Sequence, residues 1–512
     1  MRIDKVYIKE FKNLKEFSVE LDTEQLTNVF IGKNGAGKSN FIEALVIIFR
    51  DLDLKTVTIE FSYEIEYYCK NVTVNIKNDS KSRKQLFYIN HNKVTKKAFY
   101  EKWHTNESYL PEHVFAYYSG PSNRLEKHFS KHQKQFYNAL LNGDDQVLRP
   151  LFYARMIHSN FVLLAFFSFY DRESLDFLRE YLNISSIESI LFVLKKPTWN
   201  KKGAYRKDEF WGARGVVRSF LDDLYRLSLA PIKEDMVYEE GFSSIHCEVT
   251  YLYIKDQEKL MELAKHYHNN TEFFKFLEST YLSDLIKEIR IKVKKTDGTV
   301  ITFNELSEGE QQLLMVLGLL KFTKSKESLF FLDEPDTHLN PMWKFDYLSL
   351  IRRVVGENDN SQIFISTHDP IVIGGLKKEA VTIFEHDKNI TTVRRPDVDP
   401  KGMGVAGLLT QMFDLPTTLD LETQRQLDRK RQLTYKVNRT IDENIELKRL
   451  TKELEQLGFS HSVRDPLYEK FIEKLFSRPE YQNIDVSQEQ LPDMSALMDE
   501  IMREILEEEE KK

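Results

Sequence analysis

The sequence predicts an α/β fold with a mixed β-sheet, a helical insertion and a helical C-terminal tail. Apolar runs typical of strands occupy the first part of the chain and a later stretch, whereas apolar residues at helical spacing dominate between them. The 512 residues also exceed what one hydrophobic core usually supports. We therefore expect a discontinuous head at 1–125 and 285–400, a mainly helical insertion at 126–284, and a helical tail at 401–512 that binds a partner or another copy of the chain.

The first part of the chain reads as strand, turn, strand, glycine-rich loop and helix. Val6–Ile8 and Phe17–Leu21 have strand patterns, and Val29–Ile31 is a short apolar run that ends at a glycine. Asn40–Phe49 then carries apolar residues at helical spacing. This order predicts a glycine-rich loop between a buried strand and a helix.

Helical patterns fill much of the insertion, and strand patterns return after it. The stretches with helical spacing there are Leu148–Tyr170, Ser174–Leu182 and Val216–Leu229. Ile289–Val293 and Thr299–Phe303 alternate like strands on either side of an Asp297-Gly298 turn. Highly charged helical spacing covers Thr418–Leu457, and the chain ends in an acidic run, 507–512, typical of a solvated helix.

Composition and charge exclude several classes of protein. The net charge is −7, so a nucleic-acid partner would require a local basic patch. The two cysteines, Cys69 and Cys247, suit a reducing cytoplasm and offer neither a disulfide framework nor a zinc site. The longest apolar stretch, Phe161–Phe169, is far shorter than the roughly 20 residues of a membrane helix. We therefore expect a cytoplasmic protein without a membrane partner.

The segment Gly32–Ser39 fits the pattern G-x-x-x-x-G-K-[ST]. Glycines let consecutive N–H groups face one anion, and the helix that follows adds its positive end. Lys38 would reach the β- and γ-phosphates of ATP, and the Ser39 hydroxyl would be a ligand of Mg²⁺. A simple glycine turn is the alternative, which the strand before and the helix after disfavour. The residues assigned to the nucleotide here are Asn34, Gly35, Ala36, Gly37, Lys38, Ser39 and Asn40.

An apolar strand, Leu329–Leu332, ends in the two carboxylates of Asp333 and Glu334. A buried strand has no local reason to end in this way. Asp333 would hold Mg²⁺ through water, and Glu334 would orient and polarise the attacking water as the catalytic base. The alternative is an acidic turn after a strand, which the upstream phosphate loop disfavours.

A second candidate phosphate contact precedes the apolar helical run Leu313–Phe322. Ser307 and Glu310 have the spacing of a capping box, which by itself explains the pattern as a helix start. A capped helix start also offers N–H groups and a hydroxyl to a phosphate. The two interpretations are compatible, so we assign Ser307, Glu308 and Gly309 to nucleotide binding as well.

A further apolar run, Ile363–Ser366, predicts a strand that ends close to His368. A lone histidine is usually a surface or core residue. Here it follows the glycine loop, the capped helix and the Asp-Glu strand in that order, which favours a place near the γ-phosphate. We therefore count His368 with Glu334 as catalytic candidates.

Together and in this order, the motifs resemble the head domain of the Rad50, SMC and RecF class of ABC ATPases, over roughly residues 1–125 and 285–400. The resemblance implies an ABC-type (P-loop) head in which Ser307–Gly309 of one subunit reaches the ATP bound by the other. It also implies that Asp336–Pro341 is the D-loop, which crosses between subunits. One departure is that the glutamine-bearing loop of this class, which touches Mg²⁺, has no counterpart at Phe115–Gly120.

The segment from Leu194 to Arg218 mixes basic and aromatic residues and is a candidate surface for nucleic acid or a partner. The alternative, which we favour, is a solvated loop whose aromatic side chains pack onto the head. The basic residues are Lys195, Lys196, Lys201, Lys202, Arg206, Lys207, Arg214 and Arg218, and the aromatic ones are Trp199, Tyr205, Phe210 and Trp211.

The tail resembles that of the PtuA ATPases of Septu-type anti-phage systems, including those associated with retrons. The segments that carry this likeness are Gly402–Leu409, Met412–Pro416, Leu457–Ser460 and Val463–Phe471, with Phe210–Gly215 in the insertion. The resemblance implies a defence ATPase that forms dimers and larger assemblies and regulates an HNH nuclease, PtuB-like, encoded beside it. A retron reverse transcriptase with its DNA or RNA is a further partner that the resemblance implies.

Two other hypotheses remain open from the sequence. One is a RecF- or SMC-like DNA-repair ATPase that binds DNA directly, and the other is a scaffold with a degenerate nucleotide site, against which the presence of Asp333 and Glu334 argues. The chain carries no nuclease pattern of its own, neither HNH nor Toprim. Asp397 and Asp399 have D-x-D spacing, but the flanking prolines favour loop carboxylates.

Overall fold

The computed structural model describes residues 1–56, 60–101, 109–142, 151–199, 208–240, 243–323, 327–355, 361–436, 438–457, 501 and 503. Residues Met1–Phe413 form one compact unit and Asp414–Lys512 form a second. Within the described ranges, every helix is too short or too polar to cross a lipid bilayer.

The described part of the chain contains strands, α-helices and short 3₁₀ helices. The strands are β1 (Arg2–Phe11), β2 (Leu14–Glu20), β3 (Thr27–Gly32), β4 (Tyr63–Cys69), β5 (Val72–Asp79), β6 (Lys84–Ile89), β7 (Asn92–Val94), β8 (His113–Tyr118), β9 (Leu151–Tyr153), β10 (Ile184–Lys195), β11 (Leu229–Glu240), β12 (Ser243–Ile254), β13 (Ile286–Lys295), β14 (Val300–Thr302), β15 (Ser328–Asp333), β16 (Gln362–Ser366), β17 (Val381–Asp387) and β18 (Ile390–Arg394). The α-helices are α1 (Lys38–Asp53), α2 (Lys96–Glu101), α3 (Ser130–Asn142), α4 (Ile157–Ser168), α5 (Arg172–Leu182), α6 (Gly215–Leu227), α7 (Gln257–Ala264), α8 (Asn270–Leu282), α9 (Glu308–Thr323), α10 (Pro341–Val355), α11 (Pro370–Ile373), α12 (Gly404–Gln411), α13 (Leu421–Tyr435) and α14 (Ile441–Gln456). Short 3₁₀ helices occur at Glu126–Phe129, Phe303–Glu305 and Lys378–Ala380.

The central sheet places the motif-bearing strands side by side. Its order is β18-β17-β3-β16-β15-β8-β9, and its strands are parallel apart from the antiparallel β18. Every residue of β3, β15 and β16 is buried, as expected for parallel strands covered on both faces. In register, Asp333 pairs with Ser366, and Ser366 pairs with Phe30. The carboxyl ends of these three strands therefore meet at one edge, where such sheets bind ligands.

The helix after the glycine-rich loop is held between two sheets. The first sheet is antiparallel, in the order β2-β1-β4-β5-β6-β7, and α1 lies in the core that it shares with the central sheet. The Phe41 ring of α1 lies 5.4 Å from the Phe17 ring and 5.5 Å from the Phe30 ring, centroid to centroid. Burying one such side chain contributes about 2 kcal/mol, so α1 offers a firm base for the loop that precedes it.

The predicted α/β class with a mixed sheet is confirmed, and so are the local elements around the motifs. The three N-terminal strands, the helix after the glycine loop and the hairpin around Gly298 all form. The predicted helices of the insertion correspond to α4, α5 and α6. Leu151–Tyr153, within the first predicted helical stretch, instead forms β9 beside β8, because parallel pairing extends the central sheet there.

The insertion is less helical than the sequence indicates. Three strands of 12 residues each, β10, β11 and β12, lie between residues 126 and 284. They join β13 and β14 in an antiparallel sheet with the order β11-β12-β10-β13-β14. The strand β10 was missed because its partners, β12 and β13, lie far from it in sequence and supply the pairing. Residues 126–284 therefore share one compact unit with the head.

The boundary before the tail also differs from the predicted one at residue 400. The first compact unit extends to Phe413, because Leu408 and Met412 are buried in its main core. In the second unit, α13 and α14 contact each other, and Arg429 forms hydrogen bonds of 3.0 and 2.8 Å with Glu446. The tail segments at 458–460 and 463–471 and the acidic end at 507–512 lie outside the described residues.

Candidate functional site

The glycine-rich loop turns sharply between β3 and α1. Gly32, the last residue of β3, has φ +139°, and a Cβ there would overlap the carbonyl oxygen of Phe384. Only glycine satisfies both conditions. The helix α1 begins at Lys38, so the N-terminal end of α1 faces the loop. This is the arrangement of backbone donors that favours an anion.

Lys38 is folded into the loop that it follows. Its Nζ donates to the carbonyl oxygen of Gly32 at 2.8 Å and to that of Lys33 at 3.3 Å. These oxygens supply the partial negative charge that a phosphate would supply. Burial lowers the pKa of the Lys38 ammonium from 10.5 to about 8, against the opposing attraction of Glu334 and Asp333.

Ser39 and Asp333 meet where α1 starts and β15 ends. Ser39 Oγ donates to Asp333 Oδ1 at 2.9 Å, and Ser366 Oγ donates to the same oxygen. The second oxygen, Oδ2, is buried and has no hydrogen-bond partner among the residues that the structure describes. Burial raises the pKa of the Asp333 carboxyl, and the bonds from Ser366 and Ser39 oppose that rise. A hydroxyl beside a carboxylate with one unused oxygen fits the oxygen ligands that Mg²⁺ prefers.

Glu334 follows Asp333 in a left-handed conformation, with φ +54°. Its N–H donates to the carbonyl oxygen of Ser366 at 3.1 Å, which ties the turn to the end of β16. The Glu334 side chain stays 35% exposed, and its Oε1 lies 3.5 Å from Nε2 of His368, also 35% exposed. Burial and the nearby Lys38 lower the pKa of His368 to about 4, so this imidazole is neutral at pH 7. The pair can therefore contact water without forming a salt bridge.

The capping box predicted at the start of α9 is present. Glu310 Oε2 accepts from the Ser307 N–H at 2.8 Å, and the Glu310 N–H donates to Ser307 Oγ at 3.2 Å. Ser307 and Glu308 are exposed, whereas Gly309 is buried against the following loop. A Cβ on Gly309 would overlap the carbonyl oxygen of His338. The capped helix start and the segment Asp336–Pro341 therefore pack as one surface.

The segment Asp336–Pro341 is connected to several elements of the site. Asp336 is buried and accepts from Thr367 Oγ1 at 2.8 Å; burial raises the pKa of this carboxyl to about 6. Thr337 Oγ1 donates to the Glu334 carbonyl at 2.9 Å and lies 3.0 Å from Ser119 Oγ. The loop therefore links the ends of β8, β15 and β16.

Two contributors to the site were missed in the sequence. Asn13, in the turn between β1 and β2, donates to the Gly35 carbonyl at 2.8 Å and accepts from Asn40 Nδ2 at 2.7 Å. Ser366 holds both Asp333 and the backbone of Glu334. The sequence signal for Ser366 was its position at the end of the strand that precedes His368. Asn13, one asparagine in the turn between β1 and β2, gave no such signal.

The basic and aromatic segment 194–218 is not a free aromatic surface where the structure describes it. Phe210 is 0% exposed and Trp211 is 2% exposed, so neither ring is available to stack on bases. Arg218 forms hydrogen bonds with Asp208 at 2.6 Å and with Asp222 at 2.9 Å. The burial of both rings agrees with the alternative interpretation, in which the aromatic side chains of this segment pack against the protein. The predicted contributors Lys201, Lys202, Tyr205, Arg206 and Lys207 lie outside the described residues.

Asp397 and Asp399 are exposed loop residues. Asp399 Oδ1 accepts from the Lys378 N–H at 2.9 Å, and the Asp397 carbonyl accepts from Lys378 Nζ at 3.4 Å. Asp399 and the Asp397 backbone thus tie a loop to the 3₁₀ helix at Lys378–Ala380, in line with their interpretation as loop carboxylates.

Comparison with known proteins places these residues in a family. The sequence matches the AAA ATPase domain family over residues 1–373. It is 23% identical over 249 residues to the Septu protein PtuA of Bacillus mycoides, covering 46% of this chain and 34% of that protein. It is 23% identical over 200 residues to the retron Vc95 probable ATPase of Vibrio cholerae, covering 32% of this chain and 38% of that protein. A third match, 48% identical over 48 residues, is to the DNA replication and repair protein RecF of Halothermothrix orenii, covering 9% of this chain and 12% of that protein. The chain thus spans about a third of the length of the two longer-matching curated relatives.

Among solved structures, SMC heads are similar over most of the chain. An SMC head bound to the C-winged helix domain of ScpA shares 13% identity, with 77% of this chain and 97% of that chain covered and a TM-score of 0.34. The SMC head domain from Thermotoga maritima shares 14% identity, with 78% and 100% covered and a TM-score of 0.33. These TM-scores are too low to define the fold, which is described instead by the strand order of the central sheet.

Proposed function

The chain belongs to the AAA ATPase domain family, and from this membership we propose that it binds ATP with Mg²⁺ at Gly32–Ser39 and hydrolyses it to ADP and phosphate. The observation that carries the proposal is the contact between Ser39 and Asp333, whose second carboxylate oxygen has no hydrogen-bond partner in the described part of the chain. Lys38 precedes Ser39 in the chain. Its ammonium donates to the carbonyl oxygens of Gly32 and Lys33, which a phosphate can replace as acceptors.

In this proposal, the loop binds the phosphates, and side chains at the strand ends hold the metal and act on water. The backbone N–H groups of Asn34–Asn40 and the Lys38 ammonium bind the phosphates, and Ser39 with Asp333 holds Mg²⁺. When bound, Mg²⁺ neutralises charge on the β- and γ-phosphate oxygens. Glu334 orients a water molecule and accepts its proton as the water oxygen attacks the γ-phosphorus and the bond to the bridging oxygen breaks. His368, neutral beside Glu334, contacts the γ-phosphate side.

The site is proposed to be completed by a second copy of the chain. Ser307 and Glu308 are exposed at the start of α9, where the positive N-terminal end of the helix favours an external anion. Because Gly309 packs on the D-loop, binding at the α9 start and movement of Asp336–Pro341 are connected. Two heads would thus enclose two ATP molecules, and such dimers would pack into larger assemblies.

We further propose that this ATPase acts in anti-phage defence and regulates a nuclease partner of the HNH, PtuB-like kind. Support comes from the similarity to a Septu PtuA protein and to a retron ATPase, each over part of the chain. The retron relative also makes a reverse transcriptase with its nucleic acid a proposed partner. The test is co-expression with the adjacent genes: a stable complex that contains a nuclease supports the proposal, and failure of the purified proteins to associate overturns it.

The ATPase part has its own test. Purified wild-type protein should release phosphate from ATP only when Mg²⁺ is present, and Asp333→Asn should remove most of that activity because one metal-binding oxygen is lost. Asp428→Asn, which changes an exposed aspartate on α13, is the control. Equal activity of wild type and Asp333→Asn would exclude this metal site.

Direct DNA binding remains a second candidate function, favoured by the short match to RecF. It predicts ATP-dependent DNA binding by the isolated chain that weakens steeply with salt. Burial of Phe210 and Trp211 removes one surface that could have stacked on bases. Absence of binding at low salt in the presence of ATP would exclude this candidate.

A further inference from the structure

A network of charged side chains links α1 to the segment that follows β8. At its centre lies Glu43, whose side chain is 1% exposed. Its carboxylate accepts from Arg124 Nη2 at 3.0 Å and lies 3.1 Å from His128 Nε2; Lys12 Nζ also donates to it. Burial alone would raise the pKa of the Glu43 carboxyl, but bonds from His128 and Lys12 hold that pKa well below its usual range. Glu43 is therefore a fixed, paired anion.

Arg124 is the member of this network that reaches the glycine-rich loop. Its Nη2 also donates to Asn40 Oδ1 at 2.7 Å. Asn40 Nδ2 donates to Asn13 Oδ1 at 2.7 Å, and Asn13 Nδ2 donates to the Gly35 carbonyl at 2.8 Å. An unbroken chain of hydrogen bonds thus connects the Arg124 guanidinium to the backbone of the loop.

Arg124 lies in the segment that follows β8, whose neighbour in the central sheet is β15. The strand β8 pairs with β15 so that Tyr118 lies opposite Asp333, and the Ser119 N–H donates to the Asp333 carbonyl at 3.2 Å. The Arg124 guanidinium carbon lies 5.9 Å from the centre of the Tyr118 ring. Its Nε is buried and has no hydrogen-bond partner among the described residues, so the guanidinium keeps one unused donor there.

We propose that Arg124 is a positioning residue for the nucleotide site, which fixes the glycine-rich loop through Asn40 and Asn13. This inference rests on the proposed binding of ATP at Gly32–Ser39. Arginine suits the role because one planar guanidinium can serve two acceptors at once, here Asn40 and Glu43. The short 3₁₀ helix Glu126–Phe129, which opens the insertion, begins two residues after Arg124 and is tied to the same carboxylate through His128. Arg124 thereby connects the state of the nucleotide loop to the start of the insertion.

The test is a comparison of steady-state ATP hydrolysis in Arg124→Ala and in Lys127→Ala. Lys127 Nζ lies 3.5 Å from the same Glu43 carboxylate, which makes its removal a matched loss of positive charge. For Arg124→Ala we expect KM for ATP to rise about ten-fold, because residues that hold the direct ligands of a site typically contribute a factor of at least about ten. We expect kcat to fall by less than about three-fold. For Lys127→Ala we expect both constants within about two-fold of wild type.

Two more variants separate positioning from general stability. Arg124→Lys keeps the charge but not the double contact, so it should fold and give an intermediate KM, even if Arg124→Ala does not fold. The double variant Arg124→Ala/Asn40→Ala should raise KM by no more than about two-fold over Arg124→Ala alone, because both changes break one chain of contacts. The inference would be overturned if the changes in KM caused by Arg124→Ala and Asn40→Ala multiplied in the double variant. It would also be overturned if Arg124→Ala or Arg124→Lys had the same KM as Lys127→Ala. Absence of ATP binding by wild type would instead overturn the proposed function.

Discussion

Ser39 Oγ donates a hydrogen bond of 2.9 Å to Asp333 Oδ1, although the two residues lie 294 positions apart in the chain. The contact joins the first turn of α1 to the end of β15. Ser366, at the end of the strand between β3 and β15, donates to the same oxygen. The protein thus assembles a hydroxyl and a carboxylate with one unused oxygen from three adjacent elements, and the following predictions test what this site does.

Removing the Ser39 hydroxyl should weaken the binding of the Mg²⁺ that catalysis requires. For Ser39→Ala, we expect the Mg²⁺ concentration that gives half-maximal ATP hydrolysis to rise about ten-fold or more, because one proposed ligand is lost. A Mg²⁺ titration of phosphate release measures this. Ser185→Ala, which removes a hydroxyl bonded to the Lys294 carbonyl at 2.9 Å, should leave the titration unchanged. An unchanged curve for Ser39→Ala would exclude the hydroxyl as a ligand.

Glu334→Gln should separate ATP binding from hydrolysis. Since the amide cannot accept a proton from water, we expect kcat to fall about 10²- to 10⁴-fold while the Kd for ATP stays within a few-fold. Phosphate release and equilibrium binding of a fluorescent ATP analogue measure the two quantities. The control is Glu385→Gln, which changes a carboxylate of β17 that is paired with Arg394 of β18. Equal hydrolysis by wild type and Glu334→Gln would show that another group is the base.

The affinity for ATP should fall as the pH rises above about 8. Burial lowers the pKa of Lys38 to about 8, so the free protein loses this cation above that pH, whereas bound phosphate holds the proton. By linkage, Kd should rise by up to about ten-fold per pH unit above 8 and stay nearly constant below 7.5. Lys38→Ala should bind weakly with little dependence on pH. A wild-type Kd that is constant from pH 7 to 9.5 would contradict this role of Lys38.

Asp336→Asn should stabilise the fold at neutral and higher pH. The pKa of Asp336 is raised from 3.8 to about 6, so the folded state binds this proton more tightly than the unfolded state does. The stability linked to that proton is complete below pH 3.8 and is lost as the pH rises through 6. A neutral asparagine should therefore add up to about 3 kcal/mol to the free energy of unfolding at pH 8 and very little near pH 4. Urea unfolding at both pH values measures this, and equal stabilisation at pH 4 and pH 8 would refute the explanation.

Gly309→Ala should damage both stability and ATP turnover. A methyl group there would overlap the carbonyl oxygen of His338 and separate the α9 start from the D-loop. We expect a loss of about 1–3 kcal/mol in stability, as is usual for overpacking, and a large loss of turnover at saturating ATP. Gly375→Ala is the control, because a Cβ on Gly375 would have nothing within 4 Å. Normal turnover in Gly309→Ala would show that ATP hydrolysis does not depend on the packing at the start of α9.

Several parts of the fold and site could be predicted because their signals are local. The glycine-rich loop, its flanking strand and helix, and the capping box of Ser307 and Glu310 each depend on residues that are close together in the sequence. The roles assigned to Glu334, His368 and Ser307–Gly309 stay predictions, although their positions at strand and helix ends are those that the pattern indicated.

Other parts could not be predicted because they depend on pairing across the chain. The strand β10 becomes part of a sheet only through β12 and β13, which are distant from it in sequence. Phe210 and Trp211 read as a possible stacking surface but are buried by the packing of the insertion. Asn13 and Arg124 carry no motif, and their importance comes only from where Asn40 and Glu43 lie.

The sequence by itself therefore determined which chemical groups this protein carries in short runs of residues: a glycine-rich loop with its lysine, two carboxylates, and a histidine at strand ends. Only the tertiary structure decided which of these groups meet, because strand order in a parallel sheet is set by long connections that local periodicity does not encode. Placing β16 between β3 and β15 brought Ser366 to Asp333 and left one oxygen of that buried carboxylate without a hydrogen-bond partner among the residues that the structure describes. It also placed Arg124 within hydrogen-bond distance of Asn40, beside the glycine-rich loop.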